Sequence, residues 1–260
     1  MSASSLSMGL LVDVHAHLDS EKFKTDLDEV MERARNAGLK HIVSNGLDAK
    51  SNRRVLELAG KYGEIKAALG IYPIEALKLR DDEIDAEIGF IRQNKGKIIG
   101  IGEVGVDYHW DKTPEGHARQ KGIFSKFISL AREIDVPLIV HSRDAEADTV
   151  DILEHEGCKK VVMHCFGGSM ELVERIEKNR WVLSIPANVV VSGHFQKIVK
   201  KVSITQLLTE TDAPYLGPER GKRNEPANVS GAVKKIAELK GMTEEETAKN
   251  IYMNYQKSFG

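Results

Sequence analysis

The chain contains little cysteine: Cys158 and Cys165 are the only two in 260 residues. They flank a predicted buried strand, and we expect reduced core thiols there rather than a disulfide bridge. A chain of this length buries a sizeable core without a disulfide or a structural metal. Any metal that it binds is therefore expected to be functional. Because Cys165 stands beside His164, it remains a weaker candidate metal ligand.

Long apolar runs and an excess of one charge are also missing. No window approaches the roughly eighteen apolar residues that a membrane span needs, and the first residues show no cationic region followed by an apolar core. We therefore expect a cytoplasmic protein with no membrane partner. The 37 basic and 39 acidic residues give a net charge of −2, which excludes a broadly basic nucleic-acid-binding surface. A polyanion would have to be held by a local patch or by metal ions.

Short apolar runs alternate with longer amphipathic stretches along the whole chain. This pattern is typical of strand–helix units around a parallel sheet. The runs are nearly continuous in Val, Ile and Leu, as in strands that are covered on both faces. Eight strands are predicted, at residues 10–14, 40–45, 66–71, 98–103, 137–141, 160–164, 181–185 and 206–210.

Helical periodicity separates these runs. Apolar residues follow the i, i+3, i+4, i+7 spacing from Leu27, and Thr243 with Glu246 predicts a capping box that opens the last helix. Eight strand–helix units in a chain of this size favour a (β/α)8 TIM barrel over a doubly wound sheet, which more often has about five to seven strands. We predict one barrel domain over residues 1–260, with residues 1–9 as a flexible N-terminal extension.

Metal-binding residue types recur where the predicted strands end. Six candidate ligands stand there: His15, His17, Glu103, His141, His164 and Asp212. The side chains of His15 and His17 point to the same side of an extended chain, so both can reach one ion. The C-terminal strand ends of a barrel gather at one rim, which brings the distant candidates together. Each histidine taken singly could simply close a strand, but the six together suffice for two divalent ions. Their oxygen and nitrogen ligands leave Zn, Mn and Mg open, with Glu103 as the natural bridge.

Six motifs follow one another along the sequence: VDVHAHLD at 12–19, GEVGVDY at 102–108, HSRD at 141–144, HCF at 164–166, TDAPYL at 211–216 and RNEP at 223–226. They resemble the motifs of the TatD family of metal-dependent deoxyribonucleases. They follow the family's order and span nearly the whole chain. The resemblance implies a barrel of the metal-dependent hydrolase (amidohydrolase) type with a two-metal site. It also implies hydrolysis of DNA phosphodiesters, often from a 3′ end.

The resemblance also implies a role for each candidate ligand. The first metal would be held by His15, His17, Glu103 and Asp212, and the second by Glu103, His141 and His164. Asp212 resembles the family's acid/base residue, which takes a proton from the attacking water, and Glu103 is shared between the ions. Paired ions lower the pKa of such a water and offset charge on the phosphate oxygens.

The chain departs from the family at one position. The family usually has Gly-x-His-Pro after the third strand, where this chain has GIYP at 70–73. Tyr72 donates a hydrogen bond but carries no charge at neutral pH. We retain Tyr72 as a candidate substrate contact. Another small difference is His109, which is expected to be a solvated rim residue rather than a ligand.

Basic residues that could hold phosphate follow the fifth and eighth strands. They are Arg143, Arg220, Lys222 and Arg223. Loops after the seventh and eighth strands often hold phosphate in this fold, and Arg suits paired oxygens. Arg143, Arg223 and Asn224 are therefore candidate substrate contacts, although Arg220 and Lys222 could be plain loop charges and Glu225 could pair with Arg223. Four aromatic residues are candidate platforms for an unpaired base: Tyr72, Tyr108, Trp110 and Tyr215.

Three functions stay open at this point. The first is a two-metal deoxyribonuclease that acts on single-stranded DNA or 3′ ends, and the low basic charge favours an exonuclease that grips one end. The second is a hydrolase of a small cyclic amide, lactone or phosphoester on the same barrel. Many such relatives bridge their metals with a modified lysine, where this chain has Glu103. The third is a non-catalytic metal-binding or nucleic-acid-binding scaffold, which is disfavoured because all six ligand positions are filled.

Overall fold

The structure, a computed structural model, describes residues 9–219 and 221–260. Most of the predicted N-terminal extension, residues 1–8, lies outside the described residues, as does Arg220.

Eight parallel strands pair in chain order and form a nearly closed barrel. The described strands are β1 (Leu11–Ala16), β2 (Leu39–Asn45), β3 (Ile65–Leu69), β4 (Ile98–Gly105), β5 (Leu138–His141), β6 (Val161–Met163), β7 (Val182–Pro186) and β8 (Leu207–Glu210). At the seam between β1 and β8, Ala16 and Ala213 form a parallel bridge. The Thr209 hydroxyl there donates a 2.7 Å hydrogen bond to the carbonyl of Val12. The predicted TIM barrel is confirmed.

Helices surround the barrel. Within the described ranges they are α1 (Leu27–Asn36), α2 (Ala49–Lys61), α3 (Pro73–Ala76), α4 (Asp81–Gln93), α5 (Pro114–Ile134), α6 (Glu146–His155), α7 (Met170–Lys178), α8 (Gly193–Lys201), α9 (Val229–Lys240) and α10 (Glu244–Phe259). The capping box of Thr243 and Glu246 opens α10 as predicted. None of the described helices combines the length and apolar content that a bilayer crossing requires.

The predicted strands match the observed ones to within two residues at every end. The largest differences affect the candidate site. β1 continues to Ala16 instead of ending at residue 14, so His15 belongs to the strand. β4 continues to Gly105, so Glu103 lies inside the strand rather than at its end. The ladder of β4 with β5 runs past this point, which sets Gly105 opposite His141.

The core that supports the rim is apolar. Val, Ile and Leu of the strands are nearly all buried, as are Phe127 of α5 and Trp181 just before β7. Gly105 permits the closest approach between strands near the site, because its φ of +144° suits glycine and a Cβ there would collide with the carbonyl of His141. These contacts hold β4 and β5 firmly at the end where the candidate ligands stand.

Candidate metal centre

The structure brings the six candidate ligands to the C-terminal rim of the barrel. Two groups of ligand atoms, each lying within 4.8 Å of one another, occur among the described residues. The first consists of His15, His17 and Asp212, and the second of His15, Glu103 and His164. Residues from β1, β4 and the segments after β6 and β8 thus meet although nearly two hundred positions separate the first from the last.

The first group converges on a shared space. Nε2 of His15 lies 3.2 Å from Nε2 of His17 and 3.2 Å from Oε2 of Glu103. Oδ1 of Asp212 lies 3.3 Å from Nε2 of His17. Two ring nitrogens that face each other at this distance cannot both carry protons, so at least one presents a lone pair. Lone pairs and carboxylate oxygens that face one small space are a set of donors for a cation.

The orientation of His17 is fixed from outside this space. Its Nδ1 lies 3.0 Å from the carbonyl oxygen of Asn45, which accepts hydrogen bonds only. Nδ1 therefore carries the proton, and Nε2 is the nitrogen turned toward Asp212 and Glu103. Burial alone would lower the pKa of His17, but hydrogen bonds to these two carboxylates raise it well above its usual range.

Glu103 stands between the two halves of the site. Its Oε2 faces His15 and His17, and its Oε1 lies 2.8 Å from Nδ1 of His141. Burial alone would raise the pKa of Glu103, but hydrogen bonds from three histidines hold it well below its usual range. The carboxylate is thus ionised at neutral pH, with one oxygen toward each half, which is the geometry that a bridging ligand needs.

His141 is held by two carboxylates. Its Nδ1 faces Glu103, and its Nε2 lies 2.8 Å from Oδ2 of Asp107. Tyr72 donates a 2.6 Å hydrogen bond to the same Oδ2. Burial would raise the pKa of Asp107, but the hydrogen bonds from His141 and Tyr72 lower it to about 2. Asp107, which the sequence analysis did not single out, is thus an ionised carboxylate that orients His141.

His164 is oriented in a similar way by Glu210, the last residue of β8. Nδ1 of His164 lies 2.9 Å from Oε2 of Glu210, and the ring stacks on that of His15 with centroids 3.6 Å apart. Burial alone would lower the pKa of His164, but Glu210 raises it to about 9. The sequence analysis also missed Glu210. A carboxylate at the end of an otherwise apolar, buried strand was the signal available in the sequence.

The donor set fits a divalent cation. It combines imidazole nitrogens with the ionised carboxylates of Glu103 and Asp212, and carboxylates behind the ring fix two of the histidines. Nδ1 of His15 is fully buried and has no hydrogen-bond partner among the described residues. Asp212 carries a φ of 57°, and its backbone N–H donates to the carbonyl of His15, which turns its side chain into the site. Imidazole and carboxylate ligands leave the identity of the metal open.

Five of the six candidate ligands, all except His15, line an open cavity of about 740 Å³. Tyr72 and Arg143, two of the predicted substrate contacts, line this cavity, and so does Cys165. Both cysteines are free, and Cys165 belongs to neither ligand group. His109 lies outside the lining set and faces Asp144.

The structure does not bring Arg223 and Asn224 into this cavity. Arg223 forms an ion pair with Asp26 and lies over the ring of Phe23, while Glu225 pairs with Arg33 instead of with Arg223. Asn224 is fully buried, and its side chain donates to the carbonyls of Thr211 and Tyr215. Lys222 forms an exposed pair with Glu219. The contacts of the RNEP motif thus shape the loop behind Asp212.

Comparison with known proteins identifies the family. The family model described as TatD related DNase matches residues 12–260. The chain belongs to the TatD family. The resemblance seen in the motifs is therefore confirmed, and this TatD-family chain is a metal-dependent hydrolase.

Relatives of this TatD protein cover its whole described barrel. The uncharacterized metal-dependent hydrolase YabD of Bacillus subtilis is 40% identical over 96% of this chain and 99% of its own. Deoxyribonuclease TATDN3 of Homo sapiens is 33% identical over 96% of this chain and 94% of its own. The crystal structure of YJJV, a TatD homolog from Escherichia coli, superposes with a TM-score of 0.88 at 26% identity, and covers 96% of this chain and 98% of that one.

Proposed function

We propose that the chain is a deoxyribonuclease that removes nucleotides from the 3′ end of single-stranded DNA, with two divalent ions at the rim. The observation that carries this proposal is the position of Glu103, whose Oε2 faces His15 and His17 while its Oε1 faces His141. A human relative carries the name deoxyribonuclease, which supports DNA as the substrate. A cavity that opens at the rim admits a strand end more readily than the middle of a duplex.

Two sets of residues would hold the ions: His15, His17, Glu103 and Asp212 for the first, and Glu103, His141 and His164 for the second. Zn, Mn or Mg ions bound there would supply Lewis acidity at the phosphate and lower the pKa of the attacking water. The identity of the donors admits all three metals.

The chain's own side chains would bind, orient and move protons. Asp212 is in place to accept the proton of the attacking water, since its side chain is 14% exposed toward the cavity and its carboxylate is ionised. Burial would raise the pKa of Asp212, but the hydrogen bond from His17 and the nearby positive charge of His164 lower it. Arg143, which is exposed at the cavity wall, would contact a phosphate oxygen.

Cleavage of labelled single strands tests the proposal. Purified protein with Mg, Mn or Zn should shorten a 5′-labelled single strand stepwise, while a 3′-labelled strand loses its label at once. Asp212→Asn, which keeps the size of the side chain, should fold and retain most bound metal but lose at least about 100-fold in rate. An absence of cleavage with every metal, beside turnover of an N-acyl or lactone substrate panel, would overturn the DNase assignment in favour of a small-molecule hydrolase. Absence of any turnover would favour a non-catalytic scaffold.

A further inference from the structure

Two large aromatic side chains stand exposed at the mouth of the cavity. Trp110 is 65% exposed and Tyr215 is 47% exposed, yet both line the same cavity as His17, Glu103 and Asp212. Leaving such large apolar surfaces in water is unfavourable, and an exposed aromatic pair at a site is typical of a surface that stacks on a ligand.

The other two aromatic candidates are committed to contacts within the protein. Tyr72 is only partly exposed, and its hydroxyl donates to Asp107. Tyr108 donates to Asp148, and its ring stacks on that of His117 with centroids 3.6 Å apart. The hydroxyl of Tyr72, and both the hydroxyl and one ring face of Tyr108, therefore already have partners within the protein. Of the four candidates from the sequence, Trp110 and Tyr215 are the two with free area for a base.

The backbones of both exposed residues are hydrogen-bonded to residues of the site. The N–H of Trp110 donates to Oδ1 of Asp107 at 3.0 Å. The N–H of Tyr215 donates to the carbonyl of Asp212 at 2.7 Å, and the carbonyl of Tyr215 accepts from Asn224. These side chains are thus exposed, but their backbones are anchored. Little backbone freedom would therefore be lost when a flat ligand stacks on them.

A cation accompanies each ring. The guanidinium carbon of Arg143 lies 5.6 Å from the ring centroid of Trp110, and Nζ of Lys22 lies 4.8 Å from that of Tyr215. An aromatic face beside a positive charge matches a nucleotide, which presents a flat base and an anionic phosphate. The same pairing would not suit a neutral lactone or cyclic amide, which carries no anionic group for the cation.

The two residues follow strands on opposite sides of the barrel. Trp110 follows β4 and Tyr215 follows β8, and these strands are four apart in an eight-stranded ring. The ring of Tyr215 also lies 6.1 Å from that of His17, a candidate ligand. A base on Tyr215 would therefore set its own phosphate beside the ligand groups, while a base on Trp110 would lie across the cavity near Arg143.

We propose that Trp110 and Tyr215 are two stacking platforms that hold unpaired bases on either side of the bond to be cleaved. The inference rests on the proposed function in that the substrate is a nucleic acid. It gives a physical reason why this site would select single strands, because paired bases keep their faces stacked within a duplex and cannot use the platforms.

Binding of a fluorescent single strand tests the platforms independently of cleavage. The probe is a short single strand with phosphorothioate linkages, which resist hydrolysis, and 2-aminopurine near its 3′ end, in the presence of Mg. Stacking on an aromatic ring quenches 2-aminopurine, so the wild-type protein should quench it on binding. Trp110→Ala and Tyr215→Ala should each weaken binding roughly tenfold and reduce the quench. Trp110→Phe and Tyr215→Phe, which keep a ring, should restore most of both.

Met253→Ala is the matched control, since Met253 of α10 is also exposed but lies outside the cavity lining. It should leave binding and quenching unchanged. Wild-type affinity and quenching in both alanine variants, or no quenching by the wild-type protein, would overturn the platform assignment even if DNA is cleaved. Loss of quenching in the alanine variants without cleavage of any DNA by the wild type would support the platforms and refute the deoxyribonuclease.

Discussion

Replacement of Asp107 by asparagine tests the network that orients His141. The Asp107 side chain is fully buried, and both of its oxygens accept hydrogen bonds. Its Oδ2 accepts from Tyr72 at 2.6 Å and from His141 at 2.8 Å. In Asp107→Asn one oxygen becomes an NH₂ group, which places a donor against donors. We expect the folded protein to lose stability at neutral pH even when no metal is bound.

The size of the effect follows from the pKa. The network lowers the pKa of Asp107 from 3.8 to about 2, which corresponds to about 2 kcal/mol in favour of the ionised, folded form. Because the folded value lies below the unfolded one, this stabilisation is present above the unfolded pKa of about 4 and is lost as pH falls toward 2. The gap between wild type and Asp107→Asn should therefore be full at pH 7 and narrow below about pH 4.

Urea unfolding of chelator-treated protein measures this gap. Asp85→Asn is the control, because Asp85 is 61% exposed in a surface pair with Lys126 and should cost at most about 1 kcal/mol. A loss of less than about 0.5 kcal/mol for Asp107→Asn at pH 7 would refute the reasoning. So would a gap that stays constant as the pH falls from 4 toward 2.

Three further substitutions test other parts of the molecule. Glu210→Gln removes the negative charge that orients His164. Titration calorimetry of the metal-free variant should show an affinity for divalent ions about 10- to 100-fold lower than that of the wild type. Unchanged affinity would exclude this orienting role of Glu210. Phe127→Ala should lower the free energy of unfolding in urea by about 3–5 kcal/mol, because the ring of this α5 residue is fully buried. A loss of less than about 1 kcal/mol would mean that neighbouring core residues move in to fill the space that the ring leaves. Asn224→Ala leaves two carbonyls without their donor and should lower the free energy of unfolding by about 2 kcal/mol. Arg223→Ala breaks an exposed ion pair and should lower it by at most about 1 kcal/mol. A larger loss for Arg223→Ala than for Asn224→Ala would contradict the buried role of Asn224.

The strands could be predicted from the sequence because both faces of a barrel strand are buried. Each strand therefore appears as an apolar run that needs no partner to be recognised. Its last residues are harder to place, since the end of a strand depends on its neighbours. β4 extends past Glu103 because its ladder with β5 continues, which no local pattern in β4 shows.

The ligand types could be predicted because histidines at several strand ends are conspicuous. The residues behind them could not, since Asp107 and Glu210 act through contacts across the barrel and occupy ordinary positions in the sequence. The roles of Arg223 and Asn224 were also beyond local pattern. Charge and motif suggested contact with substrate, but the partners that hold them, Asp26 and the carbonyl of Thr211, are fixed only by the folded loop.

The seam between β1 and β8 joins the first strand of the barrel to the last, and it is also where the ligand set crosses. His15 and His17 stand on one side and Asp212 on the other. An ion bound by all three residues would link the first strand of the barrel to the last, so that metal binding also makes the barrel more rigid. Chelation should then speed amide exchange first along these two strands, while β3, which carries no candidate ligand, keeps its protection.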